Sequence, residues 1–315
     1  MFQRPKRSFL DRPIVSSGDL RAGDAVLFGA GYGTPYPPKG EVGYPLGTAS
    51  STAPAAVRAA VNQSSTDVTH YDFDLGGPLL PDGKRLVDLG DLAEGTGGAQ
   101  NRDRIEGVTR AILSAEALPV LIGGDDSVPI PFLRAFAGAG PVDVLQIDAH
   151  IDWRDSLGGV RDGYSSTMRR ASELPFVRSI TQVGMRGVGS ARPEEVDAAR
   201  AWGARLVTVR EARATGMAAL AQSLPKGGRL VIQVDADAFD PSVCPAVNAP
   251  TPGGFRFEEL ADLLGAAIAG KGLAGLSVVE LVPGQDPYGH SANVVGRLIC
   301  NAIGFALRAR ATSGI

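Results

Sequence analysis

The sequence predicts an α/β protein whose central, mostly parallel sheet is covered by helices on both faces. Short apolar runs of strand character alternate with longer amphipathic runs along nearly the whole chain, the pattern of a parallel sheet with helical crossovers. Several strand-like runs end in clustered polar residues, as expected where an open parallel sheet binds ligands beyond its carboxyl ends. No linker, repeat or composition shift divides the 315 residues, a length that suits one large domain with a substantial core.

Taken in chain order, the polar first twenty residues read as an N-terminal arm (1–20), followed by a single domain over 21–315. Strands are expected at 25–29, 86–88, 119–122, 142–147, 179–184, 205–209, 229–234 and 276–281. Helices are expected at 102–117, 192–202, 210–223, 256–269 and 291–309. In the last of these, Val294, Val295, Leu298, Ile299, Ile303 and Leu307 recur at helical spacing. Glycines concentrated in 27–47 and 90–98 suggest long connections of functional use.

Composition narrows the function classes. A formal net charge of −3 lacks the basic excess of a nucleic-acid footprint. No segment approaches the ~20 apolar residues of a membrane span, and the N-terminal MFQRPKRSFLDRP lacks a signal peptide's apolar stretch. Cys244 and Cys300 have no zinc-type spacing, and reduced thiols are expected of them. These features point to a cytoplasmic protein with neither a membrane nor a nucleic acid as partner.

Chemistry concentrates at two strand ends. VDVLQ (142–146) leads into Asp148-Ala-His150-Ile-Asp152, and LVIQV (230–234) leads into Asp235-Ala-Asp237. Residues two apart on an extended chain face the same side, so each set projects together. Buried carboxylates converging in this way call for a neutralising cation. A third segment, GGDDS (123–127), follows another strand and adds Asp126, although a Gly-rich turn capped by Asp125, Asp126 or Ser127 would also explain its composition. An oxygen-dominated donor set suits manganese better than zinc or copper.

At these residues the chain resembles the ureohydrolases, the arginase and agmatinase family. DAHID resembles the family's DAHxD, and DADAFDP followed by APTPGG (249–254) resembles its DxDxxDP…GG. VVELVP (278–283) resembles the later segment that carries a substrate-contacting glutamate. The resemblance runs from near residue 25 to the C-terminus and is closer to agmatinase-like members than to arginases. It implies a three-layer α/β/α sandwich and two Mn2+ ions, with nickel or another divalent metal as an alternative. Asp148 and Asp235 would bridge the metals, one of which would also contact Asp126 and Asp152, the other His150 and Asp237. A water ionised by the two cations would attack a linear guanidino compound, agmatine-like or a guanidino acid, to release urea and an amine. Asp152 would donate a proton to the leaving nitrogen, and Glu280 would hold the guanidinium. The resemblance also implies a homo-oligomer, a trimer or hexamer, to which the arm could contribute contacts.

Three departures from the family pattern stand out. Its first motif reads GGDHS, and Asp126 here takes the position of a metal-binding histidine. YSSTMRRA (164–171) stands where many relatives read HGTPFRRA, so Tyr164 replaces a pocket histidine. Of the chain's three histidines, His70 and His290 match no ligand motif and read as loop or cap residues. Finally, WRDSLGGVRDG (153–163) lacks the residues with which arginases read an amino-acid head group. Arg154 or Arg161 near the pocket would repel an ammonium tail and favour a carboxylate, unless they are solvated or paired with Asp155 and Asp162. Trp153 either walls the pocket or belongs to the core or a subunit contact. The lost histidines leave open a weakly active or non-catalytic subunit that supports an active paralogue, or a hydrolase of another substrate such as a substituted guanidine.

Overall fold

The apolar runs become the strands of one nine-stranded sheet in the computed structural model, which describes residues 2–34, 36, 49–64, 66–188 and 191–312. In chain order the elements begin with β1 (Phe2–Gln3), β2 (Ala25–Ala30), α1 (Ala53–Ser64), β3 (Tyr71–Asp72), β4 (Gly77–Pro78), β5 (Leu86–Leu92) and α2 (Gly98–Ser114). They continue with β6 (Leu118–Gly123), α3 (Pro129–Arg134), β7 (Val142–Ile147), α4 (Thr167–Ala171), β8 (Val177–Met185), α5 (Pro193–Trp202) and β9 (Arg205–Thr208). The last third holds α6 (Val209–Thr215), α7 (Met217–Gln222), β10 (Arg229–Asp235), α8 (Phe257–Lys271), β11 (Gly275–Val279) and α9 (His290–Thr312). The sheet order is β1-β5-β2-β6-β11-β10-β7-β8-β9, with every pair parallel except β1 against β5; β3 and β4 form a separate antiparallel pair.

Strand alternation divides the core into two apolar layers. Leu145, Ile147, Leu230, Ile232 and Val234 pack with α1, α6, α7, α8 and α9 on one face. Val142, Val144 and Val231 pack with α2, α3, α4 and α5 on the other. The result is the three-layer sandwich expected from the alternation. Local signals set the ends of several helices. Pro193 opens α5, and Gly203 closes it at a φ of 100°, a conformation that glycine adopts without Cβ strain. Thr208 Oγ1 accepts from the Glu211 backbone N–H at 3.2 Å while Glu211 accepts from that of Thr208 at 2.8 Å, a reciprocal cap that starts α6.

Helices α1, α3 and α4 were not expected from the sequence, and three of the expected segments take a different form. The single helix expected over 210–223 is divided by Gly216, whose φ of 83° ends α6 before α7 starts. The strand expected at 86–88 runs on to Leu92. The polar N-terminal residues are built into the body rather than extended from it. Phe2–Gln3 pairs with the sheet edge, Phe9 and Leu10 are buried, and Asp88 and Asn62 accept hydrogen bonds from their backbone N–H groups at 2.9 and 2.7 Å. No helix among the described residues is long and apolar enough to cross a membrane.

Candidate metal centre

Four adjacent strands in the middle of the sheet, β6, β11, β10 and β7, deliver the candidate residues from their carboxyl ends. After β6, Gly124 lies so close to the Tyr32 backbone that a Cβ would sit 1.9 Å from the Tyr32 carbonyl oxygen, so no larger residue fits. The two aspartates that follow diverge in role. Asp125 is fully buried and closes the loop, accepting from Ser127 N at 2.9 Å, Ser127 Oγ at 2.5 Å and Thr34 N at 2.9 Å. Asp126 turns into a cavity, and its backbone N–H donates to Glu280 Oε1 at 2.8 Å.

After β7, His150 N donates to Asp148 Oδ1 at 2.7 Å, and after β10, Asp237 N donates to Asp235 Oδ1 at 2.7 Å. These turns bring the alternate residues of each motif to one side. Asp152 and Glu280, singled out in the sequence as proton donor and guanidinium holder, have φ values of 47° and 66°. A non-glycine residue in that region costs on the order of 1–3 kcal/mol and persists where the surroundings enforce it, commonly at functional sites.

The side chains form two overlapping groups able to hold a cation, Asp148–His150–Asp237 and Asp126–Asp148–Asp152, with Asp148 common to both. Asp235 faces the same cavity. Burial, then the Asp152 and Asp148 charges, hold the Asp126 carboxyl well above the usual range. Burial and Asp148 act likewise on Asp152, and burial with Asp237 and Asp148 on Asp235. Burial works against a charged His150, yet hydrogen bonds with Asp148 and Asp237 carry it up to about 11. Without other cations the cluster retains protons; divalent metals would compete with them. Asp126 Oδ2 is buried with no hydrogen-bond partner among the described residues, an acceptor open to a ligand. The site therefore fits hard divalent cations on donor chemistry and geometry alike.

The cavity, of about 110 Å³, is lined by Asp126, His150, Asp152, Tyr164, Ser165, Asp235, Asp237, Asn248, Ala249 and Glu280. Its size suits part of a small molecule rather than a macromolecule. Burial, then the Asp125 charge, pushes the Glu280 carboxyl up to about 8.

The model of the arginase family matches residues 25–304. The chain belongs to the arginase family. Arginase-family enzymes are hydrolases of C–N bonds, and this chain shares that reaction class. It is 30% identical over 275 residues to mitochondrial arginase 1 of Arabidopsis thaliana, covering 82% of this chain and 78% of that one. It is 26% identical over 298 residues to a guanidinobutyrase of Pseudomonas aeruginosa, covering 91% and 89%. Among solved structures, a proclavaminate amidino hydrolase from Streptomyces clavuligerus superposes with a TM-score of 0.81 at 26% identity, covering 98% of each chain.

Within this arginase-family site, the structure distributes the remaining sequence candidates unevenly. Tyr164 reaches the cavity, its ring tilted against that of Tyr36 at 4.7 Å. Trp153 does not line the cavity. It is buried near Trp202, and its Nε1–H donates to Gln182 at 2.6 Å. Arg154 is also absent from the lining; it lies 5.7 Å from the centre of the Tyr36 ring and 3.6 Å from Glu195. Arg161 is half-exposed, paired with Asp155 and Glu173. His70 and His290 are exposed and stand outside the lining. Cys244 and Cys300 are buried free cysteines whose thiols burial pushes up to about 12, which suits packing rather than nucleophilic attack.

Four residues near the centre went unread in the sequence. Ser165 and Asn248 line the cavity, and Asn248 donates to Glu280 Oε2 at 2.5 Å. Gln146 donates to Asp148 and Asp152, and Gln233 donates to Asp126. The glutamines do leave a signal: each lies in a buried strand two residues before the aspartate that opens the motif, Asp148 or Asp235.

Proposed function

We propose that the protein is a manganese-dependent amidinohydrolase that cleaves a linear guanidino compound to urea and an amine. The observation that carries this reading is the pair of cation-binding groups sharing Asp148 at the wall of a small cavity that also contains Glu280. Asp148 and Asp235 would bridge two Mn2+ ions, His150 and Asp237 completing one position, Asp126 and Asp152 the other. Bound there, two divalent cations would supply a nucleophilic water at neutral pH.

The chain's own residues supply the remaining functions. Glu280, tied at one oxygen by the Asp126 N–H and at the other by Asn248, retains lone pairs to accept from a guanidinium. Asp152, whose carboxyl is pushed towards its protonated form by burial and by Asp148, would give a proton to the departing amine nitrogen. Tyr164, Ser165 and Asn248 would meet the substrate's tail with neutral polar groups. Apart from Glu280 and the candidate ligands, no carboxylate lines the cavity among the described residues. That disfavours the ammonium of agmatine, and Arg154, set over the Tyr36 ring that packs on Tyr164, places positive charge near a carboxylate or neutral tail.

A urea-release assay on manganese-loaded protein, with 4-guanidinobutyrate, agmatine and arginine as substrates, tests the reading. Urea from 4-guanidinobutyrate in preference to the other two supports it in full. Preference for agmatine retains the reaction and overturns the tail assignment. No urea from any guanidino compound overturns the reaction, and favours the supporting-subunit role that the Asp126 and Tyr164 replacements allow.

A further inference from the structure

Beneath the candidate ligands, three strands carry glutamines at one level of the sheet. Gln233 on β10 is in register with Gln146 on β7, which is in register with Gln182 on β8. All three are fully buried. Burying an amide is costly unless its polar atoms find partners, so the direction of each hydrogen bond is informative.

The bonds run towards the carboxylates. Trp153 Nε1–H donates to Gln182 Oε1 at 2.6 Å. The Gln182 amide donates to Gln146 Oε1 and, at 2.8 Å, to the Ile151 carbonyl. The Gln146 amide then divides its N–H groups between Asp148 Oδ2 at 2.7 Å and Asp152 Oδ2 at 2.8 Å. On the neighbouring strand, Gln233 Nε2 donates to Asp126 Oδ1. The indole N–H can only donate, which fixes the Gln182 and Gln146 amides with oxygen towards Trp153 and nitrogen towards the carboxylates. Among the described residues, Gln233 Oε1 is left without a hydrogen-bond partner, as is the buried Ser277 hydroxyl beside it in register. An amide serving only to satisfy its own strand would not leave one end unpaired. Gln233 is oriented for Asp126.

We propose that Gln233 and the Gln146–Gln182–Trp153 chain are positioning residues for the all-carboxylate half of the centre. They fix one oxygen of Asp126, Asp148 and Asp152 from below and so aim the three carboxyl groups at the cation position. Three carboxylates within 4.8 Å of one another repel, and donated hydrogen bonds reduce the cost of holding them together. In this scheme Gln233 makes Asp126 an effective ligand where a histidine is absent. Trp153, although outside the cavity, anchors the far end of the chain.

This inference rests on the two-cation reading above, and the experiment separates the two. Mn2+ is titrated into the metal-free full-length protein and followed by electron paramagnetic resonance and elemental analysis, with no substrate present. The wild type is expected to bind two ions per chain; fewer would overturn the two-cation reading itself. In Gln233→Met, which keeps length and removes the donor, one binding step is expected to weaken by roughly 10- to 100-fold, the usual effect of losing a group that orients a ligand. The other step should be unchanged and retain nitrogen coupling from His150. Gln146→Met should weaken the same step most, and Trp153→Phe, which deletes the indole N–H together with part of the ring, should weaken it by less than about 10-fold. A two-step titration like the wild type's in Gln233→Met and Trp153→Phe would overturn the positioning role. So would equal weakening of both steps, the mark of general loosening. If Gln146→Met fails to fold, the other two variants decide by the same criteria.

Discussion

Replacing Glu280 with glutamine separates substrate binding from metal binding. The Glu280 carboxylate accepts from Asp126 N at 2.8 Å and from Asn248 Nδ2 at 2.5 Å. A glutamine can keep the first bond through its oxygen and donate its own N–H to Asn248, once the Asn248 amide turns its oxygen round. The backbone strain at φ 66° is common to both residues and cancels. The structural cost is therefore small, while the charge facing a guanidinium is lost. Hydrogen bonds to charged groups contribute about 1.5–3 kcal/mol, so KM should rise roughly 10- to 150-fold. Stability should move the other way. Glu280 titrates near 8 in the folded protein against 4.5 ordinarily, because burial and then Asp125 disfavour its charge. An acid raised on folding costs nothing below its unfolded value, and its penalty grows as pH rises towards the folded one. Metal-free Glu280→Gln should thus match the wild type near pH 4 and exceed it by a few kcal/mol near pH 8, at about 1.4 kcal/mol per pH unit of displacement. Steady-state kinetics with 4-guanidinobutyrate and urea denaturation at the two pH values provide the readouts. An unchanged KM, or loss of a bound metal, would refute the assignment of Glu280 to the substrate.

Three further outcomes follow from the same geometry. In Asp148→Asn the new amide nitrogen must face either the Gln146 amide or the His150 N–H, both donors, so both metals should be lost by elemental analysis after desalting; two retained ions would contradict its bridging role. Asp126→His should keep both metals and raise turnover, because Gln233 can flip and accept from the imidazole through its unpaired oxygen; a variant with one metal would count against Asp126 as a ligand. Gly124→Ala should lower stability by about 3 kcal/mol or more in denaturant unfolding, because the added methyl meets Tyr32 backbone that cannot turn aside; an unchanged midpoint would show that the loop shifts freely.

The sheet was legible because its strands are apolar runs bounded by turns, and periodicity reports burial directly. The short helix α3 was not read, since two prolines among six residues leave little periodicity to detect. Nor was α1, although its apolar face is as well marked as that of α9; it follows closely on the Gly- and Pro-rich run 31–47, which reads as one long connection. In the N-terminal segment, Phe9 and Leu10 lie among polar neighbours, and only long-range contacts with Asp88 and Asn62 show that they are buried. At the centre, the convergence of Asp126, Asp148, His150, Asp152, Asp235 and Asp237 was legible from motifs placed just after strands, although turns beyond the strand ends, and not extended-chain alternation, gather them. Trp153 was harder: the sequence put it beside a ligand, but Gln182, 29 residues later, sets the direction of its indole. Gln146 and Gln233 were visible as polar breaks in apolar strands, yet their purpose required the register between strands.

The most direct measurement is a chelation and reconstitution titration of the wild-type protein, with bound Mn2+ and urea release followed on the same samples. With two Mn2+ ions at the centre, activity should disappear on chelation, return as Mn2+ is restored, and reach its maximum at two ions per chain. Urea release that survives complete chelation, or a maximum at one ion per chain, would contradict a two-ion centre.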